Sequence, residues 1–463
     1  MPRCVLTFLA LLSVALTASA AGRDTTTLLA RAQSLAWAKQ FDEAARLYRE
    51  VLRDAPSSRD ARLGLARVRL WQGRYPESRE MFLKLVARNR ADTDAAEGAA
   101  TAAYWSGDYR TALREFTAIA NAHPHRHSVR RMLNDLRSAS ATTTSFETAI
   151  IDDDQPFRST RSQARVSMFT DPLTRWDASA GGYTLDSTSG GRHSAPFIAV
   201  RNETVIPSLR LTVTPSIGAI RLPDGTHAIG GATVAFRVAP HDSLAMSFTR
   251  HEILSNATKL YPFVNVTSIS WRRTGPWLGS AEAERDRFSD HNAAIAADAY
   301  ALFPIATRAG WSWFAGGSAL TRDTRDSRFY VSGITATRDP SGAFFHYTYR
   351  GAYDPYWTPQ HLFEARAIVA IERRFGSKAT LRAQGDGGQA HDRAVSFWPD
   401  SGRTPFPSSI GQSTFNRSYS PWRLDVTSSM PIAHGITLDV GWEHSVTSFY
   451  RANRFHASLA RRR

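Results

Sequence analysis

Between residues 25 and 138 the apolar positions recur with a helical period, and from residue 141 onward they recur at every second position. The helical stretch also repeats itself in a register of 34 residues. Ala32, Ala66 and Ala100 align, as do Ala44, Ser78 and Ala112. Phe41, Tyr75 and Tyr109 form a third column, and Tyr48, Phe82 and Phe116 a fourth. Small residues belong where two helices cross closely, and the aromatics fill the gaps between units. Gly73 and Gly107 are suited to the left-handed turn that closes a first helix, a slot held by Lys39 in the first unit. Pro56 and Pro124 end second helices, with Arg90 in the middle slot. "HSVRRMLNDLRS" (127–138) reads as one further amphipathic helix that covers the last apolar face.

These columns resemble the tetratricopeptide repeat (TPR), over three units plus a capping helix. A fifth column places Trp37, Trp71 and Trp105 near the end of each first helix, as in "RLWQGRYPES" (69–78) and "YWSGDYRTA" (104–112). In that resemblance first helices line a concave groove. Trp37, Trp71 and Trp105, with Tyr104, are therefore candidate groove residues for stacking on sugar rings or holding an apolar peptide. The other reading is that each indole fills the seam between neighbouring helices.

Beyond "SASATTTSF" the alternation is that of strands. Leu209, Leu211 and Val213 alternate with Arg210, Thr212 and Thr214, and Val234, Phe236 and Val238 with Thr233, Ala235 and Arg237. Trp422, Leu424 and Val426 alternate with Arg423, Asp425 and Thr427, and Ile436, Leu438, Val440 and Trp442 with Thr437, Asp439, Gly441 and Glu443. The runs 344–353, 363–374 and 379–386 follow the same rule less cleanly. Charges of both signs in mid-strand, an opposite apolar face and aromatics near strand ends are the pattern of a membrane-spanning antiparallel barrel. At about 20 residues per strand and connection, the length predicts about 16 strands. Candidate pore-lining residues are Arg210, Arg237, Arg366, Glu372, Arg382, Arg423, Asp425 and Asp439. The Gly-, Pro- and Ser-rich stretch 387–416 reads as the longest connection, either a constriction or a mobile loop.

The ends sharpen this picture. "MPR", an apolar run of 13 and "ASA-A" form a secretory signal peptide over residues 1–20. The only cysteine, Cys4, lies within it, which suits an oxidising envelope compartment of a Gram-negative cell. The domain expectation is thus a signal peptide (1–20), periplasmic helical repeats (21–140) and an outer-membrane barrel (141–463), an α + β multidomain chain. The net charge of +15 is spread out, with 21 basic against 14 acidic residues over 22–140 and 35 against 28 over 141–463. That distribution argues against nucleic acid. "YRANRFHASLARRR" at the C-terminus places Phe455 eight residues before the end, a departure from barrels that finish on an aromatic.

No catalytic or phosphate-binding motif appears, so no enzyme and no cofactor are expected. "GGYTLDSTSGG" (181–191) reads as a turn and "DDDQ" (152–155) as a solvated loop. "HPHRH" (123–127) reads as surface residues rather than a metal site. His251, His346 and His444 fall in strands with no serine paired to them by sequence.

Signal peptide, repeats and barrel in this order resemble two groups of outer-membrane proteins. One comprises exopolysaccharide export porins, namely cellulose synthase operon protein C and the poly-N-acetylglucosamine porin; the other is the YaiO-like proteins. The resemblance implies a conduit assisting polysaccharide export, with periplasmic proteins or nascent polysaccharide at the repeats. It also implies outer-membrane lipid around the barrel and barrel-assembly machinery as a partner. The alternative is a non-conducting scaffold that docks periplasmic proteins through the repeat groove. Three repeats are fewer than those exporters carry, which favours a smaller YaiO-like protein or an exporter relying on partner subunits.

Overall fold

The computed structural model describes residues 25–462, apart from 155–156, 188–190, 254–261, 354–355, 377–378, 399–400, 404, 407–410 and 448–450. The expected signal segment lies outside the described residues. The chain falls into two compact units, the residues up to Ser140 together with the short segment Asp171–Leu173, and the remainder from Ala141 onward.

The first unit is all helix: α1 (25–37), α2 (Phe41–Asp54), α3 (Arg59–Trp71), α4 (Tyr75–Arg88), α5 (Thr93–Ser106), α6 (Tyr109–Ala122) and α7 (His127–Ala139). The small-residue columns are its core: Ala32, Ala44, Ala66, Ser78, Ala100 and Ala112 have no exposed surface. Ser78 keeps the register polar yet satisfied, because its Oγ donates to the Ala66 carbonyl at 2.8 Å. Sequence reading missed one column, Gly64 and Gly98. A Cβ there would stand 2.4 Å from the Tyr48 ring and 2.5 Å from the Phe82 ring. The Tyr48 and Phe82 rings thus each pack closely on a glycine of the next unit, and that contact sets how near the units can stack. Gly107 closes α5 at φ 87°, and Lys39 takes the same left-handed turn at φ 61° despite its side chain.

The second unit is a barrel of sixteen antiparallel strands. Eleven come first in order: β1 (Thr143–Asp153), β2 (Phe157–Asp171), β3 (Thr174–Ser187), β4 (Gly191–Ile206), β5 (Leu211–Leu222), β6 (Gly225–Arg237), β7 (Asp242–Glu252), β8 (Phe263–Arg273), β9 (Leu278–Phe288), β10 (Ala293–Arg308) and β11 (Trp311–Thr324). After an insertion holding β12 (Phe329–Arg338) and β13 (Phe345–Tyr353), the wall resumes with β14 (Gln360–Phe375) and β15 (Ala379–Trp398). A second insertion holds β16 (Ser401–Gly402) and β17 (Gly411–Tyr419), and β18 (Trp422–Ala433), β19 (Ile436–Val446) and β20 (Arg451–Arg462) complete the circle. β20 pairs with β1 from Thr143↔Arg462 to Asp153↔Ala452, so the wall has no open edge.

Short turns join the strands at the rim where β1 begins, and the longer connections lie at the other rim. Two expectations change here. Residues 387–416 are not one loop: β15 runs on to Trp398, and β17 pairs with its far half from Ala390↔Tyr419 to Trp398↔Gly411. Glycine richness mimicked a loop, but the backbone continues the hairpin past the wall. The largest insertion is instead 325–359, and "FFHYTYRGAY" supplies β13 of a separate three-stranded sheet of β12, β13 and β16. The C-terminal departure is resolved as well. β20 runs through Phe455, which faces outward opposite Trp442.

Candidate functional site

Directly opposed residues of an antiparallel sheet share a face, so the register of each pair identifies the inner wall. On β14 Leu362, Glu364, Arg366, Ile368, Ala370, Glu372 and Arg374 point inward, while Phe363, Ala365, Ala367, Val369 and Ile371 point outward. Carrying that parity around the ring places Arg382, Arg423, Asp425 and Asp439 on the inner face beside Arg366 and Glu372. Arg237 holds an inward position at the last residue of β6, on the short-turn rim. Arg210 requires correction. Residues Pro207–Leu209 form a 3-10 turn and Arg210 adopts φ 53°, so β5 begins only at Leu211 and Arg210 sits in the rim turn. Alternation in "SLRLTVT" ran through a turn that Pro207 initiates.

The inner wall is organised by charge pairing. Asp386 on β15 accepts from Arg366 Nη1 at 2.7 Å and from Arg423 Nε at 2.9 Å. Glu364 flanks Arg366, and Glu443 lies 4.0 Å from Arg423 and 3.4 Å from Arg454. The result is a ladder of alternating sign from β14 to β20. Each rung neutralises its neighbours, which lets charge line a wall without a large net field. A second knot joins Arg322 of β11 to Glu284 at 3.0 Å and to Asp286, both on β9. A third joins Arg175 of β3 to Asp177 and to Glu203 of β4, at 3.3 and 3.2 Å. Between these, β5 to β8 present Thr214, Ser216, Thr233, Ser247, Thr249 and Ser268 inward, a neutral hydroxyl-bearing sector. A cavity of about 550 Å³ opens into the charged side, lined by Asp298, Tyr300, Leu320, Arg366, Arg382 and Asp386 among others.

Sequence reading missed Glu284, Asp286, Asp298, Arg322 and Arg454. The acidic alternation of "AEAERDRF" carries a signal, Glu282, Glu284 and Asp286 at every second position. It was masked because Arg285 and Arg287 occupy the opposite face, so the strand has no clean apolar side.

At the long-loop rim the 325–359 insertion returns onto the wall. Tyr356 stacks on the inward-facing Phe288 at 4.4 Å between centroids and is buried with Val264 and Ala294. Its hydroxyl donates to Asp290 Oδ2 at 2.6 Å, and Arg328 Nε reaches the same carboxylate at 2.9 Å. Burial opposes the Asp290 charge, yet the Tyr356 hydroxyl, the Asn292 N–H and Arg328 together hold its carboxyl below the ordinary value. Burial and Asp290 push the Tyr356 phenol up. An aromatic belt marks the short-turn rim: Trp277 stacks on Phe303 at 5.4 Å, under the Arg273 guanidinium at 4.7 Å.

In the helical unit Trp37, Trp71 and Trp105 are 72%, 45% and 56% exposed, against almost nothing in the core columns. Trp71 rests one side on Phe41 of the preceding unit, with centroids 6.1 Å apart. Tyr104 is wedged between Trp105 at 5.2 Å and Tyr109 at 5.6 Å. All three indoles thus present solvent-exposed surface, and Trp71 also leans on the preceding unit. Elsewhere, "HPHRH" forms the α6–α7 junction, where His123 Nε2 lies 3.2 Å from Thr93 Oγ1. "DDDQ" ends β1, "GGYTLDSTSGG" is largely β3, and the apex residues 155 and 188–190 lie outside the described residues. His251 faces the lumen, His346 belongs to β13, and His444 faces outward between Trp422 and Trp442.

Closed wall, polar lumen and apolar exterior define a transmembrane β-barrel of the outer-membrane type, coupled to an N-terminal TPR array. Residues 35–103 match the tetratricopeptide repeat family model. No curated protein matches the chain. Among solved structures it is similar to a bacterial polysaccharide outer membrane secretin, at 8% identity over 70% of this chain and 99% of that one, with a TM-score of 0.49. It is also similar to the loop L8 deletion mutant of OmpT, an outer membrane protein of Vibrio cholerae, at 9% identity over 70% and 98%, with a TM-score of 0.34. The helical unit is similar to the first TPR of Spaghetti (RPAP3) bound to an HSP90 peptide, at 15% identity over 24% and 88%, with a TM-score of 0.23.

Proposed function

We propose that the barrel is a conduit across the outer membrane that assists export of a polysaccharide, with the helical repeats in the periplasm. The observation that carries this reading is the inner wall: paired charges on one side and hydroxyls on the other offer many hydrogen-bond partners and little net charge. Such a surface lets a hydrated polymer slide without being held at one strong site. The barrel begins and ends on the short-turn rim, which in these barrels faces the periplasm, and the repeats precede it in the chain. The half-exposed tryptophan edge supports a docking role for the repeats, whether toward an envelope protein or the emerging chain.

Single-channel recording of the full-length protein in planar bilayers tests the conduit. A steady conductance is expected, and Asp386→Asn, which frees Arg366 and Arg423 from their shared acceptor, should move the reversal potential toward anion selectivity. No conductance from the full chain or from a variant lacking 329–353 would overturn the conduit. The half-exposed tryptophan edge would then carry the scaffold reading.

A further inference from the structure

Several large aromatics that point into the lumen are already engaged with the wall. Tyr183 and Phe197 meet at 5.6 Å and both lie under the Arg161 guanidinium, and Phe288 is covered by Tyr356. Tyr300 of β10 is different. It faces the lumen in register with Ser280 of β9 and Ser318 of β11, whose side chains are too short to cover a ring, and 37% of it is exposed. Among the described residues no ring, guanidinium or hydrogen-bond partner engages it. Two residues earlier on the same face, Asp298 stands exposed, directly opposite Glu282 of β9. Neither of these carboxylates has an ion-pair or hydrogen-bond partner among the described residues, whereas Glu284, Glu364 and Asp386 are each matched by an arginine. Like charges directly opposed on neighbouring strands cost stability, and a local cost left uncompensated is expected where a site serves function. Among the described residues no third metal-binding side chain joins the two acids.

Tyr300, Ser318 of β11 and Arg366 of β14 lie in one register row, which sets the Cα atoms of Tyr300 and Arg366 about 10 Å apart. Arg366 is held by its acids through Nε to Glu364 and Nη1 to Asp386, so its Nη2 is left to donate elsewhere. All of these groups line the cavity of about 550 Å³. A flat ring beside a free carboxylate, a hydroxyl and a fixed guanidinium N–H is an amphipathic surface, and a pyranose is amphipathic in the same way, with an apolar C–H face and a rim of hydroxyls. Three acids and three arginines line the cavity, so a sugar charge of either sign gains nothing there. We propose that Tyr300, Asp298, Ser318 and Arg366 form a weak subsite for a neutral pyranose unit of the passing polymer. The ring carries the C–H face, and the polar groups take the hydroxyls. This inference rests on the conduit reading and names the class of its cargo.

The test is current block of the full-length protein in planar bilayers by cellohexaose, a neutral glucan used as the probe. Transient closures are expected, with residence about tenfold shorter in Y300A and about fivefold shorter in D298N. Y300L keeps apolar bulk without the flat ring and should match Y300A, whereas Y300F should keep most of the wild-type residence. Heat-modifiable migration in gels checks that each barrel is folded. A conducting wild type that cellohexaose does not block would overturn the subsite and leave the conduit standing. Residence unchanged in Y300A and Y300L would also overturn it. So would longer block by a hexamer of glucosamine or of galacturonate, since a charged unit would then be preferred. If the full chain does not conduct, the conduit reading falls by itself. Saturation-transfer NMR of cellohexaose on the detergent-purified protein then decides the subsite: Y300A should lower the transfer to the sugar, and an equal signal would overturn the assignment.

Discussion

The two units solve opposite burial problems with the same chain. In the helical repeats the inside is dry, and every unit carries its small and aromatic residues at one fixed spacing. Phe82 and Phe116 have no exposed surface, and Tyr48 has 5%. In the barrel the inside is wet, and large apolar side chains such as Ile217, Met246 and Ile295 are exposed toward the lipid instead, at 72%, 62% and 66%. Packing therefore stabilises the first unit and closure of the backbone hydrogen-bond ring the second. A core truncation should damage one and leave the other standing. Phe82→Ala removes a ring that lies against Gly98 and should cost about 3–5 kcal/mol. The expected outcome is loss of the helical circular dichroism signal at a much lower temperature, with heat-modifiable migration of the barrel unchanged. If the barrel also loses that behaviour, the two units are not energetically separate.

How much of each unit could be read from sequence follows from the same contrast. The repeat was legible because one period governs every column, so Ala32, Ala66 and Ala100 report on each other. Gly64 and Gly98 escaped notice because glycine in a helix looks like a local defect until the ring on the neighbouring helix is seen. The barrel was legible as a class, since Trp422 to Thr427 alternate cleanly, but its membership was not. "FFHYTYRGAY" alternates too, if less cleanly, yet forms β13 outside the wall, since period two reports a pleated strand and not the sheet it joins. β15 hid its length behind Gly385, Gly387 and Gly388, and β9 hid its acidic inner face behind outward arginines. The ion-pair ladder was half legible: alternation placed Arg366 and Arg423 on the polar face, but which acid meets which arginine depends on register, which no single strand contains.

The units also differ in how charge is used, and acid sharpens that difference. Arg59 at the start of α3 donates twice to Asp92, both at 2.7 Å, and Asp92 caps α5 through the Ala95 N–H. The Arg59 hydrogen bond holds the Asp92 carboxyl below its ordinary value of 3.8, and Arg126 does the same for Asp94. A lowered carboxylate stabilises the fold above its unfolded value and loses that contribution as pH falls through the folded one. Melting of the repeats should therefore be flat from neutral pH down to the ordinary carboxylate range and then fall. R59Q should lower stability at pH 7 by about 1–2 kcal/mol, discounted for the partial exposure of Arg59, and should shrink the acid-dependent part. An unchanged pH profile in R59Q would mean that other carboxylates dominate.

The smallest expected effect separates packing from recognition at the tryptophan edge. Trp71 leaves 45% of its surface to solvent and touches Phe41 on one side only, whereas the core columns are sealed. Trp71→Ala should then cost the repeats about 1 kcal/mol or less, far below Phe82→Ala, because little apolar area is lost from contact with protein. A residue retained for a seam would show the opposite ratio, with a fall close to that of a core aromatic. Thermal melting of the two variants side by side decides between them. A small loss of stability accompanied by weaker retention of cello-oligosaccharides or of an apolar peptide would assign the indoles to docking. A small loss with retention unchanged would leave them as the exposed margin of the repeat stack, and the docking reading of the edge would fall.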